Sequence, residues 1–326
     1  MAIHGADIER RCYQNVLSFT KGVIGKRLRN LVTNHQEGHI ISKYVELTKL
    51  RIMFLLNFVA VSGVIAASGA FPLTSILFIL IAGSLAAGGS SAINSYIDRD
   101  IDAKMPRTSK RPIPIGFINP PEKALWFGIS LLGLGLIFSA LVLPLLATVF
   151  IALGALTYVV VYTLWLKRKH PSNIVIGGAA GSFATLAGWA SVESSSLFLG
   201  IFMGLLIFIW TPSHFWCLAI KLKESYRAVN IPMLPSLVSS KVAAKYILVN
   251  SIFLVVISIL PVFLKGLGLG IPYLVVAVSL GALLLWGDIK LLRNPSSEIA
   301  WKAYKFSSPY LAVVFIGIMV DVVFFI

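Results

Sequence analysis

Three polar residues stand four positions apart at the end of a long apolar segment. They are Asn94, Asp98 and Asp102, within the stretch NSYIDRDID. Because residues four apart lie on the same face of a helix, we expect one amide and two carboxylates to share a face. Oxygen ligands of this kind suit Mg²⁺, which proteins usually hold with one or two carboxylates and the phosphates of a substrate. The three residues are therefore candidate catalytic and metal-binding groups.

A basic stretch follows these residues at once. The sequence PRTSKRP, at 106–112, supplies Arg107, Lys110 and Arg111. Such side chains bind phosphate oxygens, and Arg can do so through two parallel hydrogen bonds. Metal-binding acids followed by anion-binding bases indicate a diphosphate site, in which both groups stabilise charge on the leaving oxygens. The alternative is an ordinary charged loop at the end of a transmembrane helix.

A histidine in another apolar segment is a further candidate. His214 lies in the stretch WTPSHFW, two residues after Pro212, which should kink or break the helix around it. An ionisable side chain at membrane depth is usually functional, which favours a substrate-binding role for His214. The alternative, of equal weight, is a hydrogen-bonded histidine packed in an aromatic belt.

Two further charged clusters lie at the ends of apolar segments. One follows His214; in it Glu224 is a candidate ligand for a second metal, although such a loop, taken alone, would be solvated surface. The other begins at Lys167 and either marks the cytoplasmic end of a helix or binds phosphate. The candidate substrate-binding residues of the two clusters are Lys167, Arg168, Lys221, Lys223, Glu224, Tyr226 and Arg227.

The composition indicates an all-α membrane protein. Of the 326 residues, 57% are hydrophobic and 13% are charged, whereas charged residues make up about 25% of a soluble globular protein. The apolar runs are long enough for helices that cross a bilayer, which takes about 20 residues. Nine transmembrane helices are predicted, at 52–70, 74–96, 124–143, 145–165, 173–190, 196–219, 242–264, 271–287 and 308–326.

The positive charge falls on one side of this predicted arrangement. The formal net charge of +15 would by itself allow nucleic acid binding. With nine helices, however, all of the 28 Lys and Arg residues except Lys265 lie on the same side. This distribution follows the positive-inside rule. We therefore expect a multi-pass protein of a prokaryotic cell membrane, with its N-terminus in the cytoplasm and its C-terminus outside.

The chain divides near residue 45. Residues 1–45 form a basic cytoplasmic segment, and residues 46–326 form the membrane domain. The stretch 16–32 is either a basic amphipathic helix on the inner leaflet or a poorly ordered tail. No secretory signal peptide is expected, and the spacing of Cys12 and Cys217 indicates neither a metal site nor a disulfide framework.

Several stretches together resemble the UbiA superfamily of intramembrane prenyltransferases. NSYIDRDIDAKMPRTSKRPIPIG, at 94–116, matches the superfamily's N-x-x-x-D-x-x-x-D motif and the following loop that contains Arg-Pro. Two further stretches resemble the heme-prenylating branch of this superfamily. They are YTLWLKRKHPSNIVIGGAAGSFATLAGWASV, at 162–192, and WTPSHFWCLAIKLKESYRAVNIPMLP, at 210–235. ELTKLRI, at 46–52, is similar to the start of that branch's first helix. The resemblance covers about residues 42–326.

The resemblance implies a nine-helix bundle with a central cavity that opens to the cytoplasmic side. It implies farnesyl diphosphate as donor, heme b as acceptor and Mg²⁺ as cofactor. Diphosphate loss would leave an allylic cation-like farnesyl group, the heme vinyl group would attack it, and water would complete a hydroxyethylfarnesyl side chain. His214 would lie near the porphyrin and touch its iron or a propionate. The product, heme O, would feed a respiratory oxidase, so later heme A synthesis or oxidase assembly is an expected partner.

Two other functions fit parts of the sequence. Prenyltransferases that act on quinone precursors or lipids share the first motif and the helix count, while WTPSHFW and NIVIGGAAG favour heme. A membrane transporter would also contain broken helices and buried charges. Here, however, the ionisable residues cluster at one face, with almost none at mid-bilayer.

Overall fold

A computed structural model of the protein describes residues 40–192, 197–264 and 267–325. Contacts divide the chain into two units, Met1–Glu46 and Leu47–Ile326. In the first unit, residues 40–46 are helical, and Lys43 Nζ pairs with Glu46 at 3.0 Å. The expectation for residues 16–32 concerns a part of the chain outside the described residues.

The second unit is helical, and its described residues contain no strand. Helices satisfy their own backbone hydrogen bonds, which long apolar segments require in lipid. The α-helices, in chain order, are α1 (Leu50–Ser68), α2 (Leu73–Ile97), α3 (Arg99–Lys104), α4 (Glu122–Val142), α5 (Leu145–Leu156), α6 (Asn173–Gly177), α7 (Ala179–Trp189), α8 (Phe198–Lys221), α9 (Lys223–Ala228), α10 (Leu234–Leu237), α11 (Ser240–Ile259), α12 (Ile271–Arg293) and α13 (Ser297–Phe324). A π-helix, Thr157–Leu166, continues α5, and a 3₁₀-helix, Leu260–Val262, continues α11.

Eight helical stretches of the described residues are long and apolar enough to cross a membrane. They correspond to eight of the nine predicted segments, so the prediction of a multi-pass, all-helical membrane protein is confirmed. The remaining segment, 173–190, is divided into α6 and α7 at Gly178. A Cβ on Gly177 would lie 2.7 Å from Tyr162 Cδ2, and one on Gly178 would lie 3.0 Å from Thr211 Cβ. Glycine therefore permits the close packing at this division.

Small residues bring α2 and α4 into close contact. A Cβ on Gly89 would lie 2.5 Å from the carbonyl oxygen of Gly128, and one on Gly135 would lie 2.8 Å from Ala86 N. Such backbone approach is typical of helix pairs in membranes. The glycine-rich stretch of α2 thus serves helix packing and holds the end of α2, where Asn94 lies, against its neighbour.

The long helix α8 lies in the main apolar core. Its buried residues, including Met203 and Leu206, pack in one cluster with residues of α11, α12 and α13. The helix is continuous from Phe198 to Lys221, so the expected break at Pro212 does not occur. Asn250 Nδ2 from α11 donates a hydrogen bond at 2.7 Å to the Ile209 carbonyl, in the turn before the proline. A neighbouring helix thus helps to satisfy the backbone there, as is common in membrane helices.

Candidate active site

Asn94, Asp98 and Asp102 form one buried helical face, which we name the acidic face. Asp98 lies at the junction of α2 and α3. Helical backbone bonds continue across this junction: Asp98 N donates to Asn94 O at 2.9 Å, and Asp102 N donates to Asp98 O at 2.8 Å. The three residues are only 3%, 1% and 5% exposed, respectively. The four-residue spacing therefore produces the shared face, while the roles of its members stay a prediction.

The π-helix after α5 faces these residues. Its wide turns bond each N–H to the carbonyl five residues earlier, and such segments are frequent at functional sites. Lys167 N donates to Tyr162 O at 2.8 Å, and Thr163 Oγ1 donates to Tyr158 O at 2.7 Å. The π-helix thereby sets a side-chain register that an α-helix over the same residues would not have.

Side chains of this segment bind the acidic face directly. Asn94 Nδ2 donates to Asp98 Oδ2 at 2.7 Å and to Thr163 Oγ1 at 3.0 Å. Lys167 Nζ forms an ion pair with the same oxygen of Asp98. The carboxylate of Asp98 is thus held by an amide and an ammonium group.

Arg111, from the predicted basic loop, binds the other carboxylate of the acidic face. Its Nη1 lies 2.6 Å from Asp102 Oδ2, and its side chain remains 28% exposed. Thr108, in the same loop, is buried and donates through Oγ1 to Asp102 O at 3.0 Å. The loop is therefore tied back onto α3 at two points, which holds Arg111 beside the carboxylate.

Lys49 is a third cation at the acidic face. It precedes α1 in the left-handed region, at φ 54° and ψ 59°, where non-glycine residues are uncommon. Its Nζ donates to Asn94 Oδ1 and lies 3.4 Å from Tyr158 Oη. Burial lowers the pKa of Lys49 to about 7, and the positive charges of Arg111 and Lys167 act in the same direction. An anion bound beside Lys49 would favour its protonated form, and we name Lys49, Arg111 and Lys167 the cationic group.

The acidic face fits a metal ion that needs few protein ligands. Asp98 Oδ1 is sealed from solvent and has no hydrogen-bond partner, and Arg168 Nη2 lies 3.8 Å away. Among the described residues, no three His, Cys, Asp or Glu side chains form a metal cluster. Mg²⁺ commonly uses one or two carboxylates together with waters and substrate phosphates. Asp98 and Asp102 could supply the two carboxylates, and Asp98 Oδ1, which has no hydrogen-bond partner, could bind the ion.

The other basic residues near the face are more exposed. Arg168 binds both carboxylate oxygens of Asp100, at 2.8 and 2.7 Å, and this hydrogen-bonded pair lowers the pKa of Asp100. An open cavity of about 490 Å³ adjoins this pair and Thr163. Arg107 and Lys110 are exposed on the basic loop. Arg107 and Lys110 therefore border the site, and Arg168 binds Asp100 closely while it reaches the Asp98 carboxylate only at 3.8 Å.

Most of the second charged loop is turned away from the acidic face. Glu224 Oε1 pairs with Arg227 Nη1 at 3.1 Å, and the Glu224 side chain is 81% exposed. Lys223 Nζ donates to the Val238 carbonyl at 2.6 Å, and Lys221 is exposed. The structure does not bring these four charged residues to the acidic face.

Tyr226 is the member of that loop that faces the site. It packs with Tyr162 and Tyr304 around one apolar cluster. Burial raises the pKa of the Tyr226 phenol and Tyr162 adds to the effect, whereas the positive charges of Arg107 and Lys167 oppose it. Tyr226 therefore lies near both the cations of the site and Tyr304.

His214 occupies a buried aromatic setting in α8. Its ring stacks on Trp210, with centroids 4.2 Å apart, and lies 4.4 Å from the ring of Tyr304. His214 Nδ1 is 2.5 Å from Ser307 Oγ, and Trp210 Nε1 donates to Ser307 O at 2.8 Å. The predicted aromatic packing and hydrogen bonding are both present, and they do not by themselves decide between the structural and functional interpretations.

Three residues that contact one another or the acidic face were not predicted from the sequence as site residues: Lys49, Tyr158 and Thr163. A signal for Lys49 was available, because a lysine at the start of the first apolar segment lies at the same membrane side as the acidic face. Tyr158 and Thr163 stand five residues apart, a spacing that indicates a shared face only if the segment is read as a π-helix.

Comparisons with known proteins show the family of this chain. A family model described as the UbiA prenyltransferase family matches residues 55–309. Protoheme IX farnesyltransferase 1 of Cenarchaeum symbiosum is 43% identical over 286 residues, which cover 86% of this chain and 95% of that protein. Protoheme IX farnesyltransferase of Metallosphaera sedula is 45% identical over 276 residues, which cover 85% of this chain and 94% of that protein.

Solved structures share the fold at lower identity. A digeranylgeranylglyceryl phosphate synthase has a TM-score of 0.72 and 21% identity, over 87% of this chain and 98% of that chain. A UbiA homolog from Archaeoglobus fulgidus bound to GPP and Mg²⁺ has a TM-score of 0.60 and 19% identity, over 85% of this chain and 99% of that chain. At these identities the likeness concerns the fold alone.

Proposed function

Because the chain belongs to the UbiA prenyltransferase family, we propose that it transfers a farnesyl group from farnesyl diphosphate to the vinyl group of protoheme IX (heme b), which yields heme O. The observation that carries this proposal is the buried acidic face in contact with the cationic group. The names of the relatives at 43% and 45% identity supply the acceptor.

We assign the acidic face to a Mg²⁺ ion. Asp98 and Asp102 would be its carboxylate ligands, and Asn94 would be a neutral third ligand or an orienting group. When bound, Mg²⁺ neutralises diphosphate oxygens and so stabilises the leaving group. Glu224 is left out of this set, because its carboxylate is exposed and pairs with Arg227.

The cationic group would act on the same leaving group. Lys49, Arg111 and Lys167 already lie against the acidic face, so their charges need little rearrangement to meet diphosphate oxygens. Fixed charges in a site with little water stabilise developing negative charge more strongly than mobile ones. The exposed cations Arg107, Lys110 and Arg168 would attract the anionic donor and contact its outer oxygens.

The aromatic residues would serve the electron-poor farnesyl group. Tyr158 and Tyr162 stack at 6.0 Å between ring centroids, and Tyr226 lies nearby. Aromatic faces stabilise cations and exclude water. As the carbon–oxygen bond breaks, its electron pair leaves with diphosphate, and the vinyl electron pair forms the new carbon–carbon bond. Water then adds to the resulting cation beside the porphyrin and loses a proton.

The membrane arrangement is part of the proposal. We take α6 and α7 together as a ninth span, which completes a bundle with a central cavity open to the cytoplasmic side. The one-sided distribution of Lys and Arg supports a cytoplasmic N-terminus and an external C-terminus. An association with heme A synthesis or oxidase assembly stays a prediction. No substrate contact is assigned to Lys221, Lys223 or Arg227.

Pigment analysis tests the acceptor. The protein is expressed in cells that make heme b and farnesyl diphosphate but lack heme O, and extracted pigments are analysed by mass spectrometry. Heme O, absent from cells with the empty vector, is the expected result. A prenylated quinone precursor or an ether lipid without heme O would instead assign another acceptor. Uptake of a labelled solute into sealed vesicles without any prenylated product would indicate a transporter.

A further inference from the structure

The hydrogen bonds of Ser307 bear on which nitrogen of His214 carries the proton. Ser307 Oγ lies 2.9 Å from Tyr304 O and 2.5 Å from His214 Nδ1. A carbonyl can only accept, so we assign the single hydroxyl proton of Ser307 to the bond with Tyr304 O. With this assignment, Ser307 Oγ accepts from His214 Nδ1–H. In this tautomer, His214 Nε2 carries a free lone pair.

The ring of His214 is also fixed in orientation. Trp210 and Tyr304 lie against it at 4.2 and 4.4 Å, and Trp210 is itself anchored by its bond to the Ser307 carbonyl. His214 Nε2 makes no hydrogen bond within the described residues, and it is not among the unpartnered atoms sealed from solvent. An imidazole with an anchored Nδ1–H and an accessible Nε2 lone pair is the usual arrangement of a metal-binding histidine.

The surroundings connect this histidine with the diphosphate site. Tyr304 packs around the same apolar cluster as Tyr162 and Tyr226. Lys167 and Tyr304 both lie close enough to Tyr226 to act on the pKa of its phenol. Lys167 Nζ lies 5.8 Å from the ring centroid of Tyr162, and the His214 ring lies 4.4 Å from that of Tyr304. The tyrosines around this one cluster thus contact both the cationic group and His214, and flat apolar surfaces of this kind suit a porphyrin.

We propose that His214 Nε2 ligates the iron of the heme acceptor and thereby positions its vinyl group for attack on the farnesyl group. The inference rests on the proposed function and adds a contact on the acceptor side of the same site. His214 is a positioning residue here, because the iron takes no part in the bonds that form and break. Iron is favoured over a propionate, since a lone pair on Nε2 offers no proton to a carboxylate.

Heme titration of the purified full-length protein tests this contact. Ferric heme b is added without farnesyl diphosphate, and optical and electron paramagnetic resonance spectra are recorded. The wild type should show a histidine-ligated iron, and ¹⁵N-histidine labelling should alter the hyperfine coupling of that species. His214→Ala should lose it, and added imidazole should restore it. Ser307→Ala should keep the ligand but weaken heme affinity by about 10-fold, as loss of an outer partner usually does.

A matched control and an activity assay separate the possible results. His170 is exposed and bonded to Ser172, so His170→Ala should leave the spectra unchanged. An unchanged spectrum in His214→Ala, or a wild type without histidine ligation, overturns the inference. If that wild type still makes heme O, the proposed function stands without it. If the spectra depend on His214 but no heme O forms, the iron contact stands and the proposed function fails.

Discussion

The two charged loops look alike in sequence and differ in structure. The first supplies Arg111 to a buried carboxylate, and this salt bridge joins the loop to Asp102 of α3. In the second, Glu224 and Arg227 pair with each other at the surface, three residues apart. Exposed pairs of this kind contribute little to stability or to binding. Charge content therefore does not distinguish the two loops, whereas burial of the partner carboxylate does.

The largest difference in activity is expected between substitutions of two carboxylates, the buried Asp98 and the exposed Glu224. Asp98→Asn should lower prenyl transfer by about 1,000-fold, because a fixed charge at the leaving group is lost. Glu224→Gln should leave turnover unchanged. Heme O formation by purified variants, with retention on size-exclusion chromatography as a check of folding, measures both. Equal losses of heme O formation in the two variants would show that Glu224 also contributes to the site.

A smaller effect is expected at the lysines. Lys49→Met should lower turnover by about 100-fold, since one of the charges that face the diphosphate is removed. Lys223→Met is the matched control, because the Lys223 ammonium group bonds only a backbone carbonyl in the described residues. Single-turnover rates at saturating farnesyl diphosphate compare them. Normal turnover of Lys49→Met would show that the Lys49 charge does not stabilise the leaving diphosphate.

The arginines should separate binding from chemistry. Arg111→Ala should raise KM for farnesyl diphosphate by about 10-fold, which corresponds to roughly 1.4 kcal/mol for a charged hydrogen bond. Arg227→Ala should leave KM as it is, because its partners are Glu224 and the Ser236 carbonyl. Initial rates over a range of donor concentrations decide this, and a KM that rises equally in both variants contradicts the distinction.

The smallest effect concerns the π-helix support of the acidic face. Thr163→Val removes the acceptor of Asn94 and should lower the free energy of unfolding by about 1 kcal/mol. Thr163→Ser keeps the hydroxyl and should preserve stability. Unfolding midpoints in detergent compare the two. Equal midpoints would mean that the Asn94–Thr163 bond does not support the face.

Local spacing explains what the sequence could predict. Asn94, Asp98 and Asp102 share a face because four residues make about one helical turn, and this relation needs no tertiary information. The long apolar runs likewise predict the eight helices of the described residues that are long and apolar enough to cross a membrane. Both predictions rest on periodicity within one segment.

Contacts between distant segments could not be predicted in this way. Lys49 reaches Asn94 across 45 residues. The π-helix shifts the register of Thr163 and Lys167 away from the α-helical one on which periodicity arguments depend. Hydropathy alone also cannot show that Tyr226 faces the site while Glu224, two residues earlier, faces solvent.

The most direct test of the diphosphate site is turnover of heme b with farnesyl diphosphate by the purified protein, with Mg²⁺ and with a chelator in its place. We expect heme O from the wild type with Mg²⁺, none with the chelator, and about 1,000-fold slower formation by a folded Asp98→Asn variant. Heme O formed at the wild-type rate by Asp98→Asn would contradict a diphosphate site built on the acidic face.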